Sequence, residues 1–173
     1  QSCIFILLSI LVMFTGLTGT SLASQGQKVL ILPLKIATLQ ETSQLTVEAD
    51  SLMDQTAAEY NFDFLPRPQA DKVLDYQADW PPTLATLKSV PQVAVYDILV
   101  VGTLTEISGQ VSLDLKLVAL LATEDTQYYT THSGTLAEMS AVFSQGLGNI
   151  ASYTSRESVI ASIAPAGNNK IDS

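Results

Sequence analysis

YDILVVGTLTEISGQVSLDLKLVAL, residues Tyr96–Leu120, decides the fold. Ile98–Val101 is apolar without a break, as in a strand buried on both faces, and from Gly102 onward polar and apolar residues alternate. Ser108-Gly109 follows as a two-residue turn. QVSLDLKLVAL (Gln110–Leu120) then alternates cleanly, with Val111, Leu113, Leu115 and Leu117 on one face and Ser112, Asp114 and Lys116 on the other. The pattern predicts a β-hairpin. ATED (122–125) reads as a second turn and TQYYTTHS (Thr126–Ser133) as a third strand, which makes a three-strand antiparallel meander.

Upstream of the meander the periods are mixed. KVLILPLKI (Lys28–Ile36) is a buried strand that bulges or ends at Pro33. Thr42-Ser43 can cap a helix carrying Leu45, Ala49, Leu52, Met53, Thr56, Ala57 and Tyr60 at helical spacing. FDFLP (Phe62–Pro66) is a short strand, and Ala70, Val73 and Leu74 suggest a short helix. Leu84, Leu87 and Val90 point to a further helical turn. After the meander, Leu136, Met139, Val142, Phe143, Leu147 and Ile150 form the apolar stripe of a last helix, weakened by Gly146 and Gly148. A linker is expected over Thr154–Ser158. The fold class is α/β (α+β): a mixed sheet with a carboxy-terminal three-strand antiparallel meander and helices packed on the sheet.

The first 23 residues stand apart. They carry no charge, hold the apolar run Ile4–Phe14 and close on Ser21-Leu22-Ala23, the pattern of a secretory signal peptide. The alternative is a single membrane-spanning anchor, against which stand Thr15, Gly16, Thr18, Gly19, Thr20 and Ser21. With Gln1 in place of methionine and no positive n-region, the sequence reads as truncated at its front. Cys3, the single cysteine, lies in this segment, so residues 24–173 have neither disulfide nor thiol chemistry. Export without disulfides suits a bacterial periplasm. A net charge of −9 argues against nucleic acid or anionic lipid as the main partner.

No catalytic, cofactor-binding or metal-ligating set is legible, and the chain is expected not to be an enzyme. His132, the single histidine, reads as a surface residue at a polar strand end rather than a base, since a base needs a nucleophile and an orienting group. There is no Gly-x-Ser-x-Gly elbow, no phosphate-binding loop and no dinucleotide fingerprint. Asp50 and Asp54 lie one helical turn apart, as do Asp71 and Asp75, but calcium usually gathers 6–8 oxygens and a solvated helix face explains both pairs. Trp80, in Asp-Trp-Pro-Pro, is either an exposed anchor for a partner or part of the core. Tyr128-Tyr129 puts one ring on each face of its strand.

Two stretches carry a family resemblance. The opening KVLILPLKI, with Asp97, Ile98, Leu99, Val100, Val101, Gly102, Thr103, Leu104 and Thr105, resembles a TolB-amino-terminal-like domain, related to CsgG-type and penicillin-binding-protein-activator domains. The tail, with Ile160, Ile163, Gly167-Asn168 and Lys170-Ile171-Asp172, resembles the first strand and turn of a POTRA module, except at Pro165. Together they resemble the amino-terminal region of a BamA-type Omp85 outer-membrane protein assembly factor. That resemblance implies a signal peptide (1–23), a TolB-N-like periplasmic domain (24–153), a linker and POTRA start (154–173), then further POTRA modules and a membrane-bound β-barrel. The implied role is docking or client handling at the periplasmic face of the outer membrane, contributing to β-barrel insertion. Its partners are assembly-machinery subunits and unfolded outer-membrane clients, with no nucleic acid and no cofactor. Two other readings stand beside it: a free-standing periplasmic accessory or binding protein of TolB or penicillin-binding-protein-activator type, acting in envelope or cell-wall assembly, and a secreted hydrolase built on scattered acids.

Overall fold

In a computed structural model of the chain, residues 27–39, 41–120 and 127–163 are described. Their order is β1 (Val29–Ile31), β2 (Lys35–Thr38), α1 (Thr42–Glu59), β3 (Asp63–Phe64), α2 (Arg67–Ala70), α3 (Leu84–Lys88), a 3₁₀ turn (Pro91–Val95), β4 (Ile98–Ile107), β5 (Gln110–Ala119), β6 (Gln127–Thr135), a 3₁₀ turn (Leu136–Glu138) and α4 (Met139–Ile163). The segments read as signal peptide (1–23), ATED turn (122–125) and Gly-Asn turn (Gly167-Asn168) lie outside the described residues.

The strands form one mixed sheet in the order β3-β1-β4-β5-β6, with β2 also pairing β4. β1 is parallel to β3 and β4, and β2 is parallel to β4. β4, β5 and β6 are antiparallel neighbours, so the meander is present as the alternation predicts. Ser108 and Gly109 both have positive φ (54° and 79°), which two-residue hairpin turns require.

The proline in KVLILPLKI marks a bulge. Ile31 pairs with Val100, but Lys35 pairs with Thr103, so the β1–β2 side has one residue more than β4. Ile31 and Leu34 join one core, while Leu30 and Leu32 join the other. Alternation therefore holds through Leu32 and resumes at Leu34, which leaves Pro33 as the inserted residue. Proline lacks the N–H that a ladder position demands and is tolerated at such a place.

Helices cover both sheet faces. On one, Val100, Leu104, Leu113, Leu115 and Leu117 pack with Ala49, Met53 and Ala57 of α1 and Phe143, Leu147 and Ile150 of α4. On the other, Leu30, Leu32, Leu99, Val101 and Val118 pack with Leu65, Leu74, Leu87 and Val93. Gly146 seats α4 against the sheet: a Cβ there meets Leu113 and Leu115 side-chain carbons at 3.1 Å. The glycine that weakens the helix thus lets it approach closely.

Several local expectations are corrected. α1 starts at Thr42 with Glu41 as its N-cap and no side-chain cap bond, so Thr42-Ser43 do not cap it. Leu136 is not in the last helix's apolar stripe. It sits in the 3₁₀ turn, 41% exposed, where Thr135 and Glu138 form a capping box. The expected linker Thr154–Ser158 is helical, because α4 runs on to Ile163. No glycine or proline interrupts the chain between Gly148 and Pro165, so nothing there stops a helix.

Candidate interaction surface

Trp80 belongs to the fold's own packing. Its indole stacks on Tyr76 with ring centroids 4.7 Å apart, and its Nε1 donates to the Gly102 carbonyl at 2.9 Å. The Arg67 guanidinium lies 5.1 Å from the Tyr76 ring centroid, donates to both Asp50 carboxylate oxygens (2.6 and 2.7 Å) and reaches the Leu34 carbonyl at 2.8 Å. Asp50, Arg67, Tyr76, Trp80 and Gly102 therefore tie α1 and the loop before α3 to the bulge in the sheet. Loss of hydration lowers the Arg67 pKa, but the hydrogen bonds and charge of Asp50 outweigh it, and the net direction is upward. Burial also pushes the Tyr76 phenol up, opposed by Arg67.

Beyond Trp80 the same sheet face opens. A cavity of about 140 Å³ is lined by Trp80, Pro81, Thr103, Lys116, Tyr129 and Thr131. Tyr129 is 60% exposed, with the Lys116 ammonium 5.6 Å from its ring centroid. Thr131 Oγ1 donates to Asp114 at 2.7 Å. Tyr128 points to the other face and stacks on Tyr153 of α4 at 4.5 Å, so the paired tyrosines divide between faces as their alternation predicts.

β6 forms the border of this open face. It pairs with β5 in unbroken register from Gln127 to Thr135, and no other described strand pairs with it. QYYTTHSGT contains no lysine, arginine, acid or proline. Proteins usually blunt a free strand edge with such residues, with bulges or by keeping the strand short. β6 has nine residues and, in its pairing with β5, no bulge.

The other residues singled out from sequence separate. His132 is not a bare surface residue: it is half-buried beneath α4, with Thr130 Oγ1 at 2.8 Å and Asn149 Nδ2 at 3.0 Å from its Nε2. β6 turns it toward the helix because it shares a face with Leu113, its register partner. Asp50 is committed to Arg67, whereas Asp54, Asp71 and Asp75 are exposed. Among the described residues, no three His, Cys, Asp or Glu side chains converge as metal ligands. A second cleft of about 440 Å³ lies at the start of β1 and β4, between Tyr60, Phe62, Val95 and Tyr96. There the Tyr96 hydroxyl donates to Asp63 at 3.0 Å; loss of hydration and that bond both raise its pKa. The missed Arg67–Asp50 pair had one sequence signal, an arginine isolated between two prolines.

No family model and no curated protein matches the chain. Among solved structures it resembles the LpoB C-terminal domain from Salmonella enterica, at 13% identity and TM-score 0.42, over 73% of this chain and 92% of that one. It also resembles the PelC dodecamer from Paraburkholderia phytofirmans, at 15% identity and TM-score 0.44, over 70% and 85%. Lipoprotein GNA1162 from Neisseria meningitidis gives 10% identity and TM-score 0.44, over 75% and 99%.

These findings correct the assembly-factor reading. The structures named here are an LpoB domain, PelC and lipoprotein GNA1162, none of them a BamA-type Omp85 protein or a POTRA module. Ile160 and Ile163, taken as the first POTRA strand, lie within α4. The implied handling of outer-membrane clients, the barrel insertion and the Omp85 partners fall with that reading.

Proposed function

We propose that this domain is a non-enzymatic binding module of the bacterial envelope, an accessory factor in envelope or cell-wall assembly that receives an extended segment of a partner protein along β6. One observation carries the reading: a nine-residue edge strand free of charge and proline, bordering a cavity walled by Trp80, Lys116 and Tyr129. An added strand gains affinity from main-chain hydrogen bonds and selectivity from pockets for alternate side chains. The cavity beside β6 is positioned to be such a pocket. The leader-like stretch 1–23 supports export, and the periplasm is the compartment that fits a cysteine-free exported domain. The net charge of −9 supports a protein partner over nucleic acid.

The test is site-specific photo-crosslinking in the native envelope. A photoreactive residue is placed at Ser133, on the open face of β6, and separately at exposed Asp71 as control. A discrete protein adduct is expected from position 133 and not from position 71. Equal adduct patterns at the two positions, or none at 133, overturn the reading.

A further inference from the structure

The open face beside β6 carries two charges, set one strand in from the edge. Lys116 and Asp114 of β5 share that face with their register partners on β6, Tyr129 and Thr131. All four line the cavity beside Trp80. Both charged heads lean toward the edge. The Lys116 ammonium lies 5.6 Å from the Tyr129 ring centroid, and Asp114 Oδ1 accepts from Thr131 Oγ1 at 2.7 Å. Neither head is in a salt bridge: among the described residues the one ion pair joins Arg67 to Asp50. Asp114 is exposed and Lys116 half-buried.

A strand added to β6 lies about 4.8 Å from it and roughly 10 Å from β5, and its residues two apart are about 6.8 Å apart on one face. The added residue opposite Tyr129 faces Lys116 across that ring. The added residue opposite Thr131 faces Asp114 across that hydroxyl. A glutamate at the first place and a lysine or arginine at the second are long enough to meet heads that already lean outward. Opposite charges across strands favour a pairing and like charges oppose it. A lysine on the edge strand itself discourages any pairing. Charges on β5 leave the β6 main chain open and act only on what an incoming strand carries, which is a device of selection. The order of the two charges also gives a direction. β4, β5 and β6 are antiparallel neighbours, and antiparallel pairing is slightly the more stable per residue. An antiparallel newcomer passes Thr131 before Tyr129, so its basic residue comes first and its acidic residue two positions later.

We infer that the partner segment received along β6 carries a basic residue, any residue, then an acidic residue, the basic side chain against Asp114 and the acidic one against Lys116. The inference rests on the reading of β6 as a receiving edge and adds the charge pattern that selects the segment and sets its register and direction. A segment with the two charges reversed meets like charge at both places.

Three short Thr/Val peptides are the probes, with Lys-Val-Glu, Glu-Val-Lys or Gln-Val-Gln at the centre, and fluorescence anisotropy with the full chain is the readout. The first two have the same composition and net charge, so only order separates them. The Lys-Val-Glu peptide is expected to bind about fivefold or more tighter than Glu-Val-Lys, with Gln-Val-Gln between them. Asp114→Asn with Lys116→Gln brings the three peptides within about twofold of one another. Asp114→Lys with Lys116→Asp reverses the preference at unchanged composition. Circular dichroism confirms that each variant is folded, and the neutral variant decides if the exchanged one is not. If all three peptides bind wild type equally, the edge receives strands and the charge pattern is overturned. A preference that survives in the neutral variant also overturns it, and tighter binding of Glu-Val-Lys overturns the antiparallel direction. If none of the three binds, the reading of β6 falls and this inference falls with it.

Discussion

Gly102→Ala tests whether the bulge, the hairpin and Trp80 form one unit. An added Cβ at Gly102 falls 2.6 Å from the Asp114 carbonyl oxygen, 2.7 Å from Leu115 Cδ2 and 2.8 Å from Leu34 Cδ2. Even a close carbon–oxygen contact is about 3.3 Å, so the new methyl is short by about 0.7 Å against main chain, which cannot rotate away. β4 and β5 must separate locally, and Leu34 must leave the position it reaches through the bulge. Overpacking by side chains alone costs about 1–3 kcal/mol, and the main-chain contact puts this variant near the top of that range, about 3 kcal/mol. At a urea m-value of about 2 kcal/mol/M the midpoint falls by about 1.5 M. Trp80 is the single tryptophan, and its N–H is bonded to the Gly102 carbonyl, so intrinsic fluorescence reads the same site. Emission is expected to shift red in native buffer. Gly109→Ala is the matched control: no described residue lies within 4 Å of an added Cβ, and its positive φ is what resists substitution, by about 1 kcal/mol. A Gly102→Ala protein no less stable than Gly109→Ala, with unshifted emission, would refute the coupling.

Three further outcomes follow from side-chain geometry. Asp50→Ala strands Arg67, whose side chain is 19% exposed, and should destabilise by about 2–3 kcal/mol in urea denaturation. Tyr76→Phe deletes a buried hydroxyl that has no hydrogen-bond partner among the described residues, so it should be neutral or stabilising by up to about 1 kcal/mol; a clear loss in thermal unfolding reveals an acceptor. Glu106 and Glu138 have folded-state pKa values lowered from 4.5, chiefly by Thr38 for Glu106 and by the Thr135 N–H for Glu138. Their stabilisation is complete above that ordinary value and is lost as pH falls through the lowered ones. Glu106→Gln should therefore be less stable than wild type at about pH 7, with the gap closing as pH falls below the ordinary carboxylate range; a constant gap across urea titrations contradicts the assignment.

How much of this was legible depended on how local each signal was. The β4–β5 hairpin was readable because its period, turn chemistry and register lie within 25 consecutive residues. A bulge or strand end at Pro33 was readable because proline acts on its own backbone, but which of the two was not. The parallel pairing of β1 with both β3 and β4 was not, since its partners lie more than 30 residues away and a short apolar run names no neighbour. Trp80 could not be assigned from Asp-Trp-Pro-Pro, because the acceptor that fixes it is a main-chain carbonyl in β4. His132 looked exposed since its flanks are polar; its burial comes from α4, brought close by Gly146. The end of α4 was missed for a different reason. Thr154–Ser158 was read as a linker, but its serines and threonine lower helix propensity only slightly, and no breaker stands among these residues.

The two borders of the sheet are treated differently, and that contrast supports a binding role for β6. On the β1–β2 side, β3 has only two residues and is followed by Pro66, Arg67 and Pro68. Arg67 takes the Leu34 carbonyl at the bulge, and Lys35 reaches the Ala78 carbonyl. Shortness, proline, bulge and basic residues are the devices that keep an edge from pairing with a foreign strand, and this border has all four. β6 has none of them over nine residues, although a single lysine in place of Thr131 or Ser133 supplies one on a face already partly open to water. An edge left long and uncharged exposes a chain to unwanted pairing. A sheet that guards one border and leaves the other unguarded has the asymmetry expected where an incoming strand is to be received on one side only.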